Sequence, residues 1–252
     1  MDLGIAGRRA IVIGATGALG GAVCEALAAE KVDLVLFARG REMLEQRRQE
    51  LQQRYGVSVE TSAGDITRHP DIQALVQDVT ALGGAQILVL NTPRPPSPMR
   101  HFLDENEQGR WDEAYQLQLH GALLVLRSLA PLVAADGWGR IVAITSASVK
   151  QPMPRHAIST IFRAGVQAAL KHLAMELAER GVTVNAVAPA TVLTPTFPGF
   201  HDVAQRIQSV PMKRAGKLEE LGATVAFLAS ENAGFITGQV IQLDGGATLS
   251  LC

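Results

Sequence analysis

The sequence predicts an α/β fold, a doubly wound parallel sheet of seven strands with helices on both faces, and three observations carry that prediction. Short runs rich in β-branched residues alternate with longer amphipathic stretches along the whole chain, the pattern of strands joined by right-handed helical crossovers. A glycine-rich turn, GATGALG (Gly14–Gly20), leaves the first strand and enters the first helix. No internal repeat or low-complexity linker divides the 252 residues, so one domain spanning residues 1–252 is expected, a common size for a single α/β core.

The elements follow in order. Strands are expected at Ala10–Ile13, Asp33–Phe37, Ser58–Glu60, Ile87–Leu90, Arg140–Ile144, Thr183–Val187 and Gln239–Leu243, each a short run with β-branched or apolar residues. The intervening amphipathic patterns predict helices at Leu19–Glu30, Arg41–Tyr55, Pro70–Leu82, Trp111–Ala135, Ile158–Arg180 and Leu218–Ser230. Charges on Arg41–Tyr55 read as a solvated helix face with i,i+4 pairing. The four prolines of Thr92–Arg100 lie between two core elements and read as a stiff surface loop.

Composition excludes several classes. Apolar residues are 47% and charged residues 19%, an ordinary globular balance. A net charge of −1 gives no basic patch for nucleic acid or a membrane surface. Cys24 and Cys252 cannot build a disulfide framework, and no cluster suggests a metal. Arg8-Arg9 before an uncharged run mimics a targeting signal, but its glycines suit a phosphate loop better. No apolar run reaches the roughly 18 residues of a membrane span, and a cytoplasmic protein is expected.

Glycines at 14, 17 and 20 let a backbone turn tightly and let a pyrophosphate approach a helix N-terminus, where N–H groups and the dipole favour anions. Thr16 and Leu19 belong to the same loop. The second strand ends Leu36-Phe37-Ala38-Arg39. An NAD site calls for Asp or Glu here, whereas Arg39 offers a planar donor fork to a 2′-phosphate. That favours NADP(H), the alternative being that Arg39 caps a surface turn.

The segment ITSASVKQPMPRHAISTIFRAG (Ile144–Gly165) resembles the active-site region of the short-chain dehydrogenase/reductase family, and the resemblance extends over essentially the whole chain, closest to the compact 3-oxoacyl-ACP reductase branch. It implies a Rossmann-type sheet of order 3-2-1-4-5-6-7. Where the family carries Ser, Tyr thirteen residues on and Lys four further, this chain has Ser146, Ser159 and Arg163. The family's helix Asn falls at Gln118, seven after Trp111. The glycine loop departs from the family's G-x-x-x-G-x-G at Ala18. Asp65 in AGDIT, followed by Ile66, matches the position that contacts adenine, and Asn91 matches the second Asn of N-N-A-G, whose remainder has drifted to Thr92-Pro93. In VNAVAPATVLTPTF (Val184–Phe197), Asn185 and Pro189 match and Thr194 falls where the family contacts the nicotinamide carboxamide. FITGQVIQLDGG (Phe235–Gly246) resembles the last strand and subunit-contact tail.

In that family Tyr is the general acid, Lys lowers its pKa and holds ribose hydroxyls, and Ser holds the substrate oxygen, the acid/base and oxyanion functions that carbonyl reduction needs. Ser159 is a poor acid. Arg163, with a pKa above about 12, can hold ribose hydroxyls but cannot relay protons. Ser159 and Arg163 are four apart, hence on one helix face. His156 titrates in the useful range; it is either a substitute acid or an exposed loop histidine. Lys150 reads as solvent-facing. Tyr55 ends a surface helix, Tyr115 is one turn before Gln118 and reads as a core residue, and His120 points away from Gln118. Arg94, Arg100 and Arg155 near the mouth fit either an anionic substrate or solvated loop charge.

Two functions remain. One is an NADP(H)-dependent oxidoreductase acting on a small molecule through Gln118, Ser146, His156, Ser159 and Arg163. The other is an inactive NADP(H)-binding pseudoenzyme serving as sensor or partner subunit. A homotetramer or dimer is expected through the long fourth and fifth helices and the apolar tail Val240–Cys252.

Overall fold

A computed structural model describes residues 2–195 and 202–250. Cys252 and the Thr196–Phe197 end of the VNAVAPATVLTPTF segment lie outside the described residues. The strands are β1 Arg9–Ile13, β2 Asp33–Ala38, β3 Val59–Ala63, β4 Ile87–Asn91, β5 Gly139–Ile144, β6 Val182–Pro189 and β7 Val240–Leu243. All pair in parallel in the order β3-β2-β1-β4-β5-β6-β7, as the resemblance implied. The helices are α1 Ala18–Ala29, α2 Arg41–Tyr55, α3 His69–Ala81, α4 Gln108–Ala114, α5 Gly121–Val133, α6 Ala157–Leu177, α7 Val203–Ser209 and α8 Leu218–Leu228.

Alternation along the strands builds two cores. Ile11, Ile13, Val35, Phe37, Leu88 and Leu90 point to the face covered by α3, α5 and α6. Ala10, Val12, Leu34, Leu36, Ile87 and Val89 point to the face covered by α1, α2 and α8. Burial on both sides is why these strands read as continuous apolar runs. The winding direction reverses between β1 and β4, whose registers align Ile13 with Phe37 and with Leu90. A crevice opens beyond the carboxyl ends of the strands at such a reversal.

Four details differ from the expectation. β3 runs Val59–Ala63 rather than Ser58–Glu60; this edge strand carries polar residues, among them Ser62, whose hydroxyl donates to Asp78, so its apolar signal is weak. The helix expected at Trp111–Ala135 runs without a break from Gln108 to Val133, but its Tyr115–His120 stretch is π rather than α. Gln239 falls outside β7, its N–H donating to the side-chain oxygen of Asn185. The helix α7 was not expected, although Asp202 caps it by accepting from the Gln205 N–H at 3.0 Å.

The face of α2 is solvated as read, but its ion pairs are spaced i,i+3, Arg47 with Glu50 and Arg48 with Glu45, and the i,i+4 links are amide ones such as Gln46 on Glu50. Cys24 is buried, and burial pushes its thiol up to about 12, which keeps it protonated. Among the described residues no helix is long and apolar enough to cross a membrane.

Candidate functional site

The crevice begins where β1 turns into α1. Gly14 has φ +73°, and a Cβ there would stand 2.6 Å from the Asn91 carbonyl oxygen. Its N–H donates to the Phe37 carbonyl at 2.8 Å, and the Gly17 N–H returns to the Gly14 carbonyl at 3.1 Å. A Cβ on Gly20 would lie 2.2 Å from that same Gly14 carbonyl oxygen. The turn therefore closes so tightly that only glycine fits at 14 and 20. The first-turn N–H groups of α1, which have no intrahelical acceptors, face the open end of the sheet.

Around this turn lies a cleft of about 780 Å³. It is lined by Gly14, Thr16, Gly17, Ala18 and Leu19, then Arg39, Asp65, Ile66, Asn91, Arg163 and Thr194. Gly20 packs behind the turn instead of lining it. Arg39 is exposed at the edge beside Ala38, and among the described residues it forms no ion pair. Asp65 accepts from the Thr67 N–H at 2.9 Å and from its hydroxyl at 2.8 Å, which fixes the loop after β3.

A smaller cleft of about 160 Å³ adjoins it, lined among others by Arg94, Ser146, His156, Ser159, Arg163, Pro189 and Thr194. Leu19, Arg94, Thr145, Arg163 and Thr194 border both, so the two are continuous. Ser146, just after β5, exchanges a hydroxyl bond with Ser148 at 2.9 Å, and Thr160 of α6 donates to Ser148 at 2.9 Å. Gln167 donates to Thr145 at 3.0 Å. Neither Ser148 nor Thr160 was singled out from sequence; only the packing of α6 onto the loop after β5 brings them to Ser146.

Arg163 stands at the junction. Its Nη1 donates to Gln118 Oε1 at 2.8 Å and to the Ser159 hydroxyl, and its Nη2 to the Pro93 carbonyl at 3.4 Å. The expected common face of 159 and 163 is thus realised. Gln118 is fully buried behind Arg163 and lines neither cleft. Among the described residues the buried Nε of Arg163 and Nε2 of Gln118 have no hydrogen-bond partner. Burial, reinforced by the charge of Arg94, pulls the Arg163 guanidinium down to about 10. This corrects the expected value above 12, although the group remains cationic at neutral pH.

His156 is not the exposed loop residue of the alternative reading. It is half-buried at the start of α6, with Nδ1 2.8 Å from the Pro154 carbonyl and Nε2 3.3 Å from Arg206 Nη2. A carbonyl can only accept, so Nδ1 carries the proton and Nε2 accepts from Arg206. Burial first, then the neighbouring arginines, hold its pKa below the usual value. It is a neutral imidazole, oriented as an acceptor. Arg206 was missed because α7 was missed.

The remaining candidates separate. Tyr115 is 43% exposed and lies against Phe162 and His120, so it is not the core residue expected and lines neither cleft. Tyr55 donates to Glu25 at 2.6 Å, and Lys150 is exposed. Arg94 donates to the Thr194 hydroxyl at 2.8 Å. Arg100 pairs with Glu107 at 2.6 Å, and Arg155 is exposed outside both clefts. Among the described residues neither a phenol nor a lysine lines either cleft. Among the described residues no group of acids, histidines and cysteines could hold a metal.

Known proteins match this arrangement along the chain. A family profile described as enoyl-(acyl carrier protein) reductase matches residues 14–248. Nodulation protein G of Azospirillum brasilense is 35% identical over 242 residues, 94% of this chain and 96% of that protein. Glucose 1-dehydrogenase of Gluconobacter oxydans is 31% identical over 97% of this chain and 93% of its own. The structure of L-sorbose reductase from Gluconobacter frateurii, complexed with NADPH and L-sorbose, superposes over 100% of both chains with a TM-score of 0.92 at 28% identity.

Proposed function

The chain belongs to the short-chain dehydrogenase/reductase family, and from that premise we propose that it is an NADP(H)-dependent oxidoreductase working without the family's tyrosine–lysine pair. The observation that carries the reading is Arg163, a buried cation joining the large cleft to the small one and bonded to Ser159. The residues present fit a dinucleotide: a glycine cradle that a side chain would fill, a helix N-terminus facing the cleft, and an exposed guanidinium beside Ala38 where an acid would repel a 2′-phosphate. The sorbose reductase neighbour, whose structure contains NADPH, supports the same choice. When bound, the nicotinamide supplies or takes up a hydride.

The chain's own residues do the rest. The α1 N-terminus and Gly14–Leu19 hold phosphates, Arg39 the 2′-phosphate, Asp65 and Ile66 the adenine, and Asn91, Pro189 and Thr194 the nicotinamide end. Ser146 and Ser159 donate hydrogen bonds to a substrate oxygen, and Arg163 holds ribose hydroxyls while its charge stabilises developing negative charge in a site of low dielectric. None of these groups gives up a proton readily, and His156, held neutral, keeps its proton on the Pro154 carbonyl. A second reading rests on the same absence of a phenol: an inactive NADPH-binding sensor or partner subunit. Exposed Phe235, Leu249 and Met175 support a homodimer or homotetramer.

Cofactor titration tests the reading. NADPH should bind more tightly than NADH, and Arg39→Ala should reduce the NADPH affinity alone; equal affinities would remove the basis of the NADP(H) assignment.

A further inference from the structure

Ser146 lines the small cleft, whereas the hydroxyls chained behind it belong to Ser148 and Thr160, which line neither cleft. Ser146 leaves β5 with an extended backbone, φ −155° and ψ 141°, and caps the short turn Ala147–Val149. Its Oγ accepts from the Ser148 N–H at 3.2 Å and lies 2.9 Å from Ser148 Oγ. Ser148 is fully buried. Thr160, in the first turn of α6, donates its hydroxyl proton to Ser148 Oγ at 2.9 Å, the Ser148 carbonyl being farther away at 3.5 Å.

Each hydroxyl offers one proton and two lone pairs. The Thr160 proton is directed at Ser148, and the Ser146–Ser148 bond is left to run either way. With Ser146 as donor, Ser148 would accept twice, and its own proton would have no acceptor at a site without solvent. An unpaired buried donor carries the full cost of its lost hydration. With Ser148 as donor, that proton is bonded. Ser146 then accepts from both the N–H and the O–H of Ser148, which occupies both of its lone pairs. Among the described residues its own proton has no acceptor, and the small cleft is the side left open to it. Donors in series polarise one another, which strengthens the last hydroxyl as a donor.

We propose that Ser148 and Thr160 are positioning residues that fix Ser146 as a hydrogen-bond donor into the small cleft, its O–H aimed at the carbonyl oxygen of a substrate. This deepens the oxidoreductase reading and rests on it for what occupies the cleft. A donor held in place before the substrate arrives needs no reorganisation as negative charge develops on that oxygen. The chain supplies no proton. It ends at Thr160, a hydroxyl no more acidic than Ser146, so it does not stand in for the family's phenol.

Two magnetic-resonance measurements test it. In a mixture of light and heavy water, a slowly exchanging hydroxyl splits the signal of its own isotopically labelled Cβ, and a freely exchanging one does not. In the protein without nucleotide, Ser148 should be split and Ser146 single. A split Ser146 or a single Ser148 would overturn the proposal, because the bond would then run from Ser146 or the chain would be open to water. The second measurement uses acetone labelled at its carbonyl carbon, added to protein loaded with NADP+, a complex that cannot turn over. The carbonyl signal should move downfield in the wild type, by less in Thr160→Val, where the Ser146–Ser148 bond is free to reverse, and as far as in the wild type in Thr160→Ser. No movement in the wild type, or an equal movement in Thr160→Val, would also overturn the proposal. If the hydroxyl pattern holds but neither NADPH nor NADP+ binds, the arrangement of Ser146 stands and the oxidoreductase reading alone fails.

Discussion

The two halves of the crevice are built from different materials. The dinucleotide half is made of backbone: a turn closed by Gly14 and Gly20, the N-terminus of α1, and carbonyls from Phe37 and Asn91. The small cleft is made of side chains: Ser146 is bonded to Ser148, Arg163 holds Ser159 and Gln118, and His156 is held by the Pro154 carbonyl and Arg206. A backbone site depends on a few positions that must lack a Cβ and tolerates drift elsewhere; Ala18 replaces a family glycine and simply begins α1. A side-chain site changes chemistry with each substitution while the fold stays the same. On the resemblance, three catalytic positions, 118, 159 and 163, read differently here, and the family's architecture is nonetheless kept.

The contrast breaks first at the glycines. Gly20→Val forces a Cβ toward the Gly14 carbonyl at 2.2 Å, so the cost should reach or exceed the upper end of the roughly 1–3 kcal/mol typical of overpacking. Urea unfolding should show that loss, together with loss of NADPH binding. A Gly20→Val protein of native stability would mean the turn is looser than described. On the side-chain half, Gln118→Leu takes the Oε1 acceptor from buried Arg163. Stability should fall by about 2 kcal/mol, the range for a buried hydrogen bond to a charge, and an unchanged urea midpoint would contradict the linkage.

A smaller effect sharpens the comparison at the cofactor's edge. Arg39→Ala should weaken NADPH by roughly tenfold, about 1.4 kcal/mol, with NADH unaffected, because Arg39 is exposed at the cleft rim and carries no packing. Smallest is the pH response of His156. Its folded pKa lies below the unfolded value near 6.5, so the unfolded chain takes up its proton first as pH falls. Stability from this group is complete above about pH 6.5 and declines as pH drops through the lowered folded value. The urea midpoint should therefore fall between pH 7.5 and 5.5 by more in the wild type than in His156→Gln; equal falls would show that His156 is not held neutral.

The same division governs what the sequence made legible. Two-sided burial wrote β1, β2, β4 and β5 as apolar runs; Gly14, Gly17 and Arg39 were readable because the turn chemistry is local, whereas Asp65 and Asn91 came only from the family resemblance. The edge strand β3 was displaced because its alternation is polar. The π segment at Tyr115–His120 has no composition of its own, and α7 is only seven residues long, with Asp202 as its one local signal. Ser159 and Arg163 were placed correctly on one helix face by spacing. The orientation of His156, the exposure of Tyr115, the Ser146–Ser148–Thr160 chain and the lowered pKa of Arg163 are products of tertiary packing, which spacing does not encode.

The central claim is a retained nucleotide site joined to a reaction centre with no ready proton donor. Its most direct test is turnover of NADPH-loaded protein on ordinary ketones, aldehydes and 3-oxoacyl thioesters, compared with Ser159→Tyr plus Arg163→Lys. General acid help is worth on the order of 10²–10⁴ in rate, so the wild type should bind NADPH yet turn over slowly, and the double variant should be faster on these carbonyls. Brisk wild-type turnover that survives His156→Ala would contradict the account, since it would require an acid that the clefts described above do not contain.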